Sequence, residues 1–197
     1  MTAPKQFVQA FIEMRADDPE ATSALAVAQR HLEAGRSLAG LRRMRVFELS
    51  GSLPPRATLE ELLHRSTQFY NPSKERCAVR ADSTDPAPGA AGEQYVIVFE
   101  RGGERRAAAE RWWRHETGAR IEVREGVAWA MTFAPGIDAP AAAEALTVTR
   151  DRQHGLLCNP NFQEWRPASA TGGPPLPWIA TKPITRGPRA RKGKASP

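Results

Sequence analysis

Apolar positions along the chain recur with two periods. Residues 5–15 place Phe7, Val8, Phe11, Ile12 and Met14 at helical spacing. Asp18-Pro19-Glu20 then reads as an N-cap, a first-turn proline and a dipole-favoured acid opening a helix to about Ala34, with Leu25, Ala28 and Leu32 in one stripe and Gly35 as its stop. Residues 44–49 alternate as a strand. Thr58-Leu59-Glu60-Glu61 resembles a capping box for a helix that ends before Asn71-Pro72. A short strand at 77–79 leads into a Pro/Gly/Ala stretch at 82–92, read as an exposed, mobile connection.

The second half repeats these signals. Residues 95–99, Tyr-Val-Ile-Val-Phe, form a buried strand; Gly102-Gly103 lead to a helix over 104–116 closed by Gly118. Residues 121–124 and 127–133 read as a β-hairpin turning at Glu125-Gly126. Asp138-Ala139-Pro140 caps a helix from Ala141 to about His154, and Asn159-Pro160 turns into a strand over 162–165. Residues 44–79 and 127–165 thus echo each other as strand, proline-bearing loop, helix, Asn-Pro turn and strand. The expected fold is α+β, with ferredoxin-like βαβ repeats on an antiparallel sheet. Its divisions are two N-terminal helices packed on the sheet (1–40), the sheet domain (41–167) and a disordered basic Pro/Gly-rich tail (168–197). The strand at 127–133 is large and apolar on one side and small on the other, so its second face needs a cover, either the N-terminal helices or another subunit.

Charge alters this picture only at the C-terminus. Of 28 lysines and arginines, six lie between Lys182 and Pro197, and the other 22 balance 22 acidic residues. A neutral body with a basic end implies loose, tail-borne affinity for nucleic acid or another polyanion. No apolar run is long enough for a bilayer span, and the first residues lack the build of a signal peptide, so a cytoplasmic chain with reduced Cys77 and Cys158 is expected.

Candidate chemistry is sparse. His31, His64, His115 and His154 fall late in four predicted helices, where a cation suits the dipole, and they share no metal-ligand spacing. His154 precedes Cys158 by four residues with Gly155 between them; buried structural cysteine is the simpler reading. Gly102 and Gly103 offer a strand-to-helix turn where amides could meet an anion, though without a nucleotide-binding motif. Trp112 and Trp113 between Arg111 and Arg114 suit base stacking less well than core packing. No metal, cofactor or catalytic residue is assigned.

One segment resembles a known family. Leu156, Leu157, Asn159, Pro160, Glu164 and Trp165, after the alanine-rich helix at 141–146, resemble the last helix and strand of PurS, the small subunit of phosphoribosylformylglycinamidine synthase. Residues 127–133, with Trp129, stand where PurS has its third strand. The resemblance implies a non-catalytic scaffold without cofactor, which associates with itself through its sheet and bridges synthetase and glutaminase subunits. Its interface would include Trp129, Leu156, Leu157, Asn159, Pro160, Glu164 and Trp165. The alternative is a basic ferredoxin-like module that binds nucleic acid through its tail.

Overall fold

A computed structural model describes residues 6–86, 88–89, 92–103, 105–168 and 173–180. One six-stranded antiparallel sheet, ordered β3-β1-β2-β5-β4-β6, is flanked by four α-helices. The strands are β1 (Gln6–Met14), β2 (Leu38–Gly51), β3 (Glu75–Arg80), β4 (Gln94–Glu100), β5 (Ile121–Phe133) and β6 (Gln163–Ala168). The helices are α1 (Pro19–His31), α2 (Arg56–Arg65), α3 (Ala107–Thr117) and α4 (Ala139–Thr147). The chain therefore runs β-α-β-α-β twice, and the repeat seen in the sequence extends over both halves.

The α+β class and the antiparallel sheet stand as expected, but the connections differ. β1 and β2, joined through α1, are direct antiparallel neighbours, and so are β4 and β5, joined through α3. A right-handed βαβ crossover would have made the two strands of each pair parallel. The two expected N-terminal helices are also corrected. Residues 6–14 are a strand, and only one helix precedes β2. Every residue from Val8 to Ile12 is buried, because β1 lies inside the sheet with both faces covered. A strand buried on both sides has no polar alternation, and its apolar residues then mimic helical spacing.

β5 is likewise one strand and no hairpin. It pairs with β2 from Leu38↔Phe133 to Gly51↔Ile121, straight through Gly126. That glycine answers to packing: a Cβ there would stand 3.0 Å from the Ile97 side chain and 3.2 Å from the Val98 carbonyl of β4. Two of the three N-cap signals held, whereas the capping box expected at Thr58 is corrected: α2 begins at Arg56 behind Pro55 with no side-chain cap. Asp18 accepts from the amides of Glu20 and Ala21, and Asp138 from that of Ala141. The Asn-Pro turns match bond for bond. Asn71 N donates to Glu75 and Asn159 N to Gln163, while each Asn side chain accepts from the amide two residues on.

All four helices lie on one face and make two cores. α2 and α3 cover Val8, Ala10, Ile12, Phe47, Leu49 and Val123, with Phe69 edge-on to Phe47 at 5.4 Å and close to Trp112 and Trp113. α1 and α4 cover Leu41, Val96, Val98, Trp129 and Met131. A polar seam separates them: Arg43 reaches Asp18 and Glu20, Arg45 reaches Glu75, and Arg106 reaches Glu125. On the opposite face Phe11, Met44, Val46, Tyr95, Ile97 and Ala128 pack under Trp178 and Ile179. The disordered tail expected from residue 168 is thereby corrected over part of its length. Ala168 ends β6, residues 173–180 lie on the sheet, and Trp178 is fully buried. Residues 169–172 and 181–197 lie outside the described residues.

Gly35 tests the α1–β2 connection. A Cβ at this position would fall 2.0 Å from the Ala28 carbonyl oxygen, within rigid helix backbone. Gly35→Ala should destabilise by about 1–3 kcal/mol in a denaturant titration, through overpacking. Gly40→Ala, whose Cβ would meet only Thr132 at 3.7 Å, should stay within about 0.5 kcal/mol of wild type.

Candidate functional site

The face without helices carries the largest set of buried polar side chains among the described residues. Gln9 of β1, Glu48 of β2, Arg80 of β3 and Arg166 of β6 are each at most 9% exposed. A buried polar group needs partners, and here the partners are the backbone of residues 174–180. Arg80 donates to the Pro174 carbonyl at 2.7 Å and Gln9 to that of Pro175 at 2.7 Å. Glu48 accepts from three successive amides: Trp178 at 2.5 Å, Ile179 at 3.1 Å and Ala180 at 2.7 Å. Arg166 donates to the carbonyls of Trp178 at 2.7 Å and Ile179 at 2.8 Å. Cross-bracing completes the set, with Arg80 on the Gln9 side-chain oxygen at 2.9 Å and Gln9 on Glu48 at 3.3 Å.

Burial lowers the pKa of both arginines, opposed at Arg80 by Asp85 and Asp82 and at Arg166 by Glu164 and Glu48. Both guanidiniums stay charged, and charge-assisted bonds to carbonyls offset their desolvation. Arg80 also holds the carbonyls of Ser83 and Asp85, so the start of the 82–92 connection is a tethered turn. Beside the segment, the same face opens a cleft of ≈ 220 Å³ over Phe11, Met44 and Ala78, with Glu13, Arg42 and Arg76 at its rim.

The internal symmetry shows how local this site is. The strand registers superpose the halves with β1 on β4, β2 on β5 and β3 on β6. Phe47 then matches Trp129, Leu49 matches Met131, and Ile12 matches Val98: the helix-face cores are alike. On the bare face, Gln9 matches Tyr95, Glu48 matches Ala130, and Arg80 matches Ala168. Two of those mates are alanines and the third is a tyrosine whose hydroxyl donates to Glu93, and all three belong to the cluster that holds Trp178 and Ile179. Three of the four gripping residues belong to the first half and Arg166 to the second, while the apolar cluster around Trp178 and Ile179 draws on both halves, with Phe11, Met44 and Val46 from the first.

The residues singled out from the sequence have other places. Trp129 is 8% exposed in the α1/α4 core, and Leu156, Leu157 and Trp165 are half-buried against it. Asn159 and Pro160 make the turn before β6, where the Pro160 carbonyl accepts from Arg101. Glu164 lies 4.0 Å from Arg166. The Gly102-Gly103 turn is closed upon itself: Gly103 N donates to the Glu100 carbonyl and Arg124 donates to the Gly103 carbonyl. Trp113 is wholly buried, with Trp112 packed beside it.

Both cysteines are free. Burial pushes the Cys77 thiol up to about 12, helped by Glu60, and also raises that of Cys158. His154 faces Asp151 at 2.9 Å, and His64 meets the Tyr70 hydroxyl at 3.1 Å. Among the described residues no cluster of His, Cys, Asp or Glu has the makings of a metal site, and no helix is long and apolar enough to cross a membrane. No known family, curated protein or solved structure matches the chain.

Sequence reasoning missed Gln9, Glu48, Arg80 and Arg166. A signal was present only for Gln9 and Glu48, polar residues inside the otherwise apolar runs of β1 and β2, since β3 and β6 are largely polar along their length. Glu48→Ala leaves three backbone amides and the Gln9 side chain without their acceptor and removes a negative charge that favours Arg166. It should destabilise by about 3–5 kcal/mol in chemical denaturation. Trp178→Ala should cost a similar amount, about 3–5 kcal/mol. The double variant should fall well short of their sum, because either change releases the same segment.

Proposed function

We propose that this chain is a non-catalytic binding scaffold that acts by holding an extended peptide segment across the bare face of its sheet. The observation that carries this reading is the clamp of Gln9, Glu48, Arg80 and Arg166, whose hydrogen bonds go to peptide backbone. Backbone recognition combined with one buried indole is how a protein surface takes hold of another chain segment. In the PurS-like form of the reading, the chain is a cytoplasmic small subunit that bridges a synthetase and a glutaminase. Support for a scaffold of that kind comes from the doubled β-α-β-α-β architecture, in which two like halves share one sheet through β2 and β5.

The test is to place a protease site within residues 169–172 of the full chain and cut it after folding. The released piece, 173–197, should remain with the body through gel filtration at micromolar concentration, and Glu48→Ala should abolish its retention. A piece that elutes freely from the wild-type body would end the reading.

A second reading concerns the basic run from Lys182 to Lys194, which starts two residues beyond the clamped Ala180. The scaffold then serves as a fixed root for a polyanion-binding tail, with nucleic acid as the partner. Six basic residues limit the slope of log K against log salt to about −5 on duplex DNA. Removing residues 182–197 should abolish the binding, and sequence-selective binding by the shortened chain would refute a tail-borne site.

A further inference from the structure

We propose that the clamp selects its peptide by where proline is allowed and where it is barred: it takes a proline-rich stretch that leads into a tryptophan followed by two residues that keep their amides. This inference rests on the peptide-holding reading above and adds the chemical class of the segment held.

The segment reads Gly173-Pro174-Pro175-Leu176-Pro177-Trp178-Ile179-Ala180. Three of its first five residues have no N–H to offer, and its last three all do. The sheet is divided in the same way. Over the proline end it presents donors: Arg80 donates to the Pro174 carbonyl and Gln9 to the Pro175 carbonyl, both at 2.7 Å. A guanidinium cannot accept, and the Gln9 side-chain oxygen already takes a bond from Arg80 at 2.9 Å. The other Arg80 nitrogens are engaged by the Ser83 and Asp85 carbonyls. Pro174 is buried among these donors. A residue with an N–H at this position would add one more, and a buried donor without an acceptor is costly. Proline removes that group, and its fixed φ lowers the freedom lost on docking.

At the tryptophan end the demand is reversed. Glu48 accepts from the amides of Trp178, Ile179 and Ala180, and an ionised carboxylate only accepts. Proline at any of these three positions would remove one charge-assisted bond and leave part of a buried carboxylate without its partner. Arg166 holds the carbonyls of Trp178 and Ile179, so both backbone groups of these two residues are engaged. The indole sets the position along the groove. Trp178 is wholly buried in a cluster to which Ala128, Ala130 and Ala168 contribute, and such small residues leave the space that a large ring fills. A slip of the peptide by one residue towards its C-terminus would bring Pro177 to Glu48 and take the indole out of that space. Proline at 177 therefore guards the register as well, by making the wrong alignment costly.

The experiment uses the full chain, folded and then cut within residues 169–172, and adds capped synthetic octapeptides of sequence 173–180 to displace the piece 173–197, read by gel filtration. The body keeps its sequence throughout, so no variant has to fold. The wild-type octapeptide should displace the piece. Ala180 is exposed and its amide is bonded to Glu48, so it separates backbone from side chain. Ala180→Pro in the peptide should weaken displacement by about tenfold or more, the loss expected for one bond to a charged group. Ala180→Gly keeps the amide and should stay within about threefold of wild type. Pro174→Ala should weaken displacement by about fivefold or more, and Trp178→Ala by about a hundredfold. The selectivity is overturned if Ala180→Pro matches Ala180→Gly, or if Pro174→Ala displaces as well as wild type. A wild-type octapeptide without effect at about a hundredfold excess overturns it too. If the piece elutes freely before any peptide is added, the peptide-holding reading has failed and takes this inference with it. If the piece is retained while the octapeptides follow no such order, holding stands and the selectivity alone fails.

Discussion

Everything in this molecule hangs on the pairing of β2 with β5. These long strands sit at the centre of the sheet and join the two β-α-β-α-β halves, from Leu38↔Phe133 to Gly51↔Ile121. A slip of β2 by one residue would turn Phe47 and Leu49 away from the helices and bring Glu48 and Arg42 under them. Apolar cores on both sides of the sheet forbid that, so the register is over-determined. Polar residues mark its middle. Arg43, Arg45 and Glu125 lie between the cores on the helix face, held by Asp18, Glu20, Glu75 and Arg106. These half-buried pairs contribute little net stability each. They do keep the two helix pairs apart, since packing α2/α3 against α1/α4 would strand their charges.

The helix face and the bare face obey different rules. Under the helices, burial of apolar side chains supplies the driving force, roughly 25 cal/mol per Å², and the two halves solve the problem alike. On the bare face a short chain segment replaces a helix pair. It has few large side chains, Leu176, Trp178 and Ile179 among its prolines, so apolar burial alone holds it less firmly. Bonds to its backbone make up the difference, and these need buried donors and acceptors in the sheet. Glu48 with three amides and Arg166 with two carbonyls meet that need. The same bonds explain why a glutamate sits buried in central β2 and a buried arginine in each edge strand.

The sequence made the caps of α1 and α4, the apolar strands and the repeated Asn-Pro turns legible, because each is a local signal with a local cause. It misled where tertiary context decides. β1 looked helical because both its faces are buried, and Gly126 looked like a turn because the close approach of Ile97 cannot be seen along the chain. Residues 173–180 looked formless for lack of any period, yet eight residues held by side chains from four strands need no period of their own. The PurS-like positions were legible as apolar and turn residues, and here they serve the α1/α4 core and the Asn159 turn. The clamp escaped notice because its four members stand in four separate strands, and each alone resembles a stray polar residue.

The comparison between the halves argues that the clamp is more than a structural convenience. A chain that needed only to cover its bare face would face the same problem twice, once over each half, and two like halves would reach like solutions. On the helix face they do so, with Phe47 for Trp129 and Leu49 for Met131. On the bare face the corresponding positions have diverged as a set: Gln9 against Tyr95, Glu48 against Ala130, Arg80 against Ala168 and Arg166 against Ala78. The four gripping residues, three from the first half and Arg166 from the second, are polar, whereas Tyr95, Ala130 and Ala168 belong to the cluster that holds Trp178 and Ile179. Random drift in a core favours interchange of apolar residues of similar volume; it does not place the bonded set Arg80, Gln9 and Glu48 where their mates belong to an apolar cluster. Asymmetry of this kind gives one oriented peptide site per chain, reading direction from amide and carbonyl and position from a single indole. The alternative, a symmetric apolar face, would bind a segment in either direction and fix the root of the following basic residues nowhere.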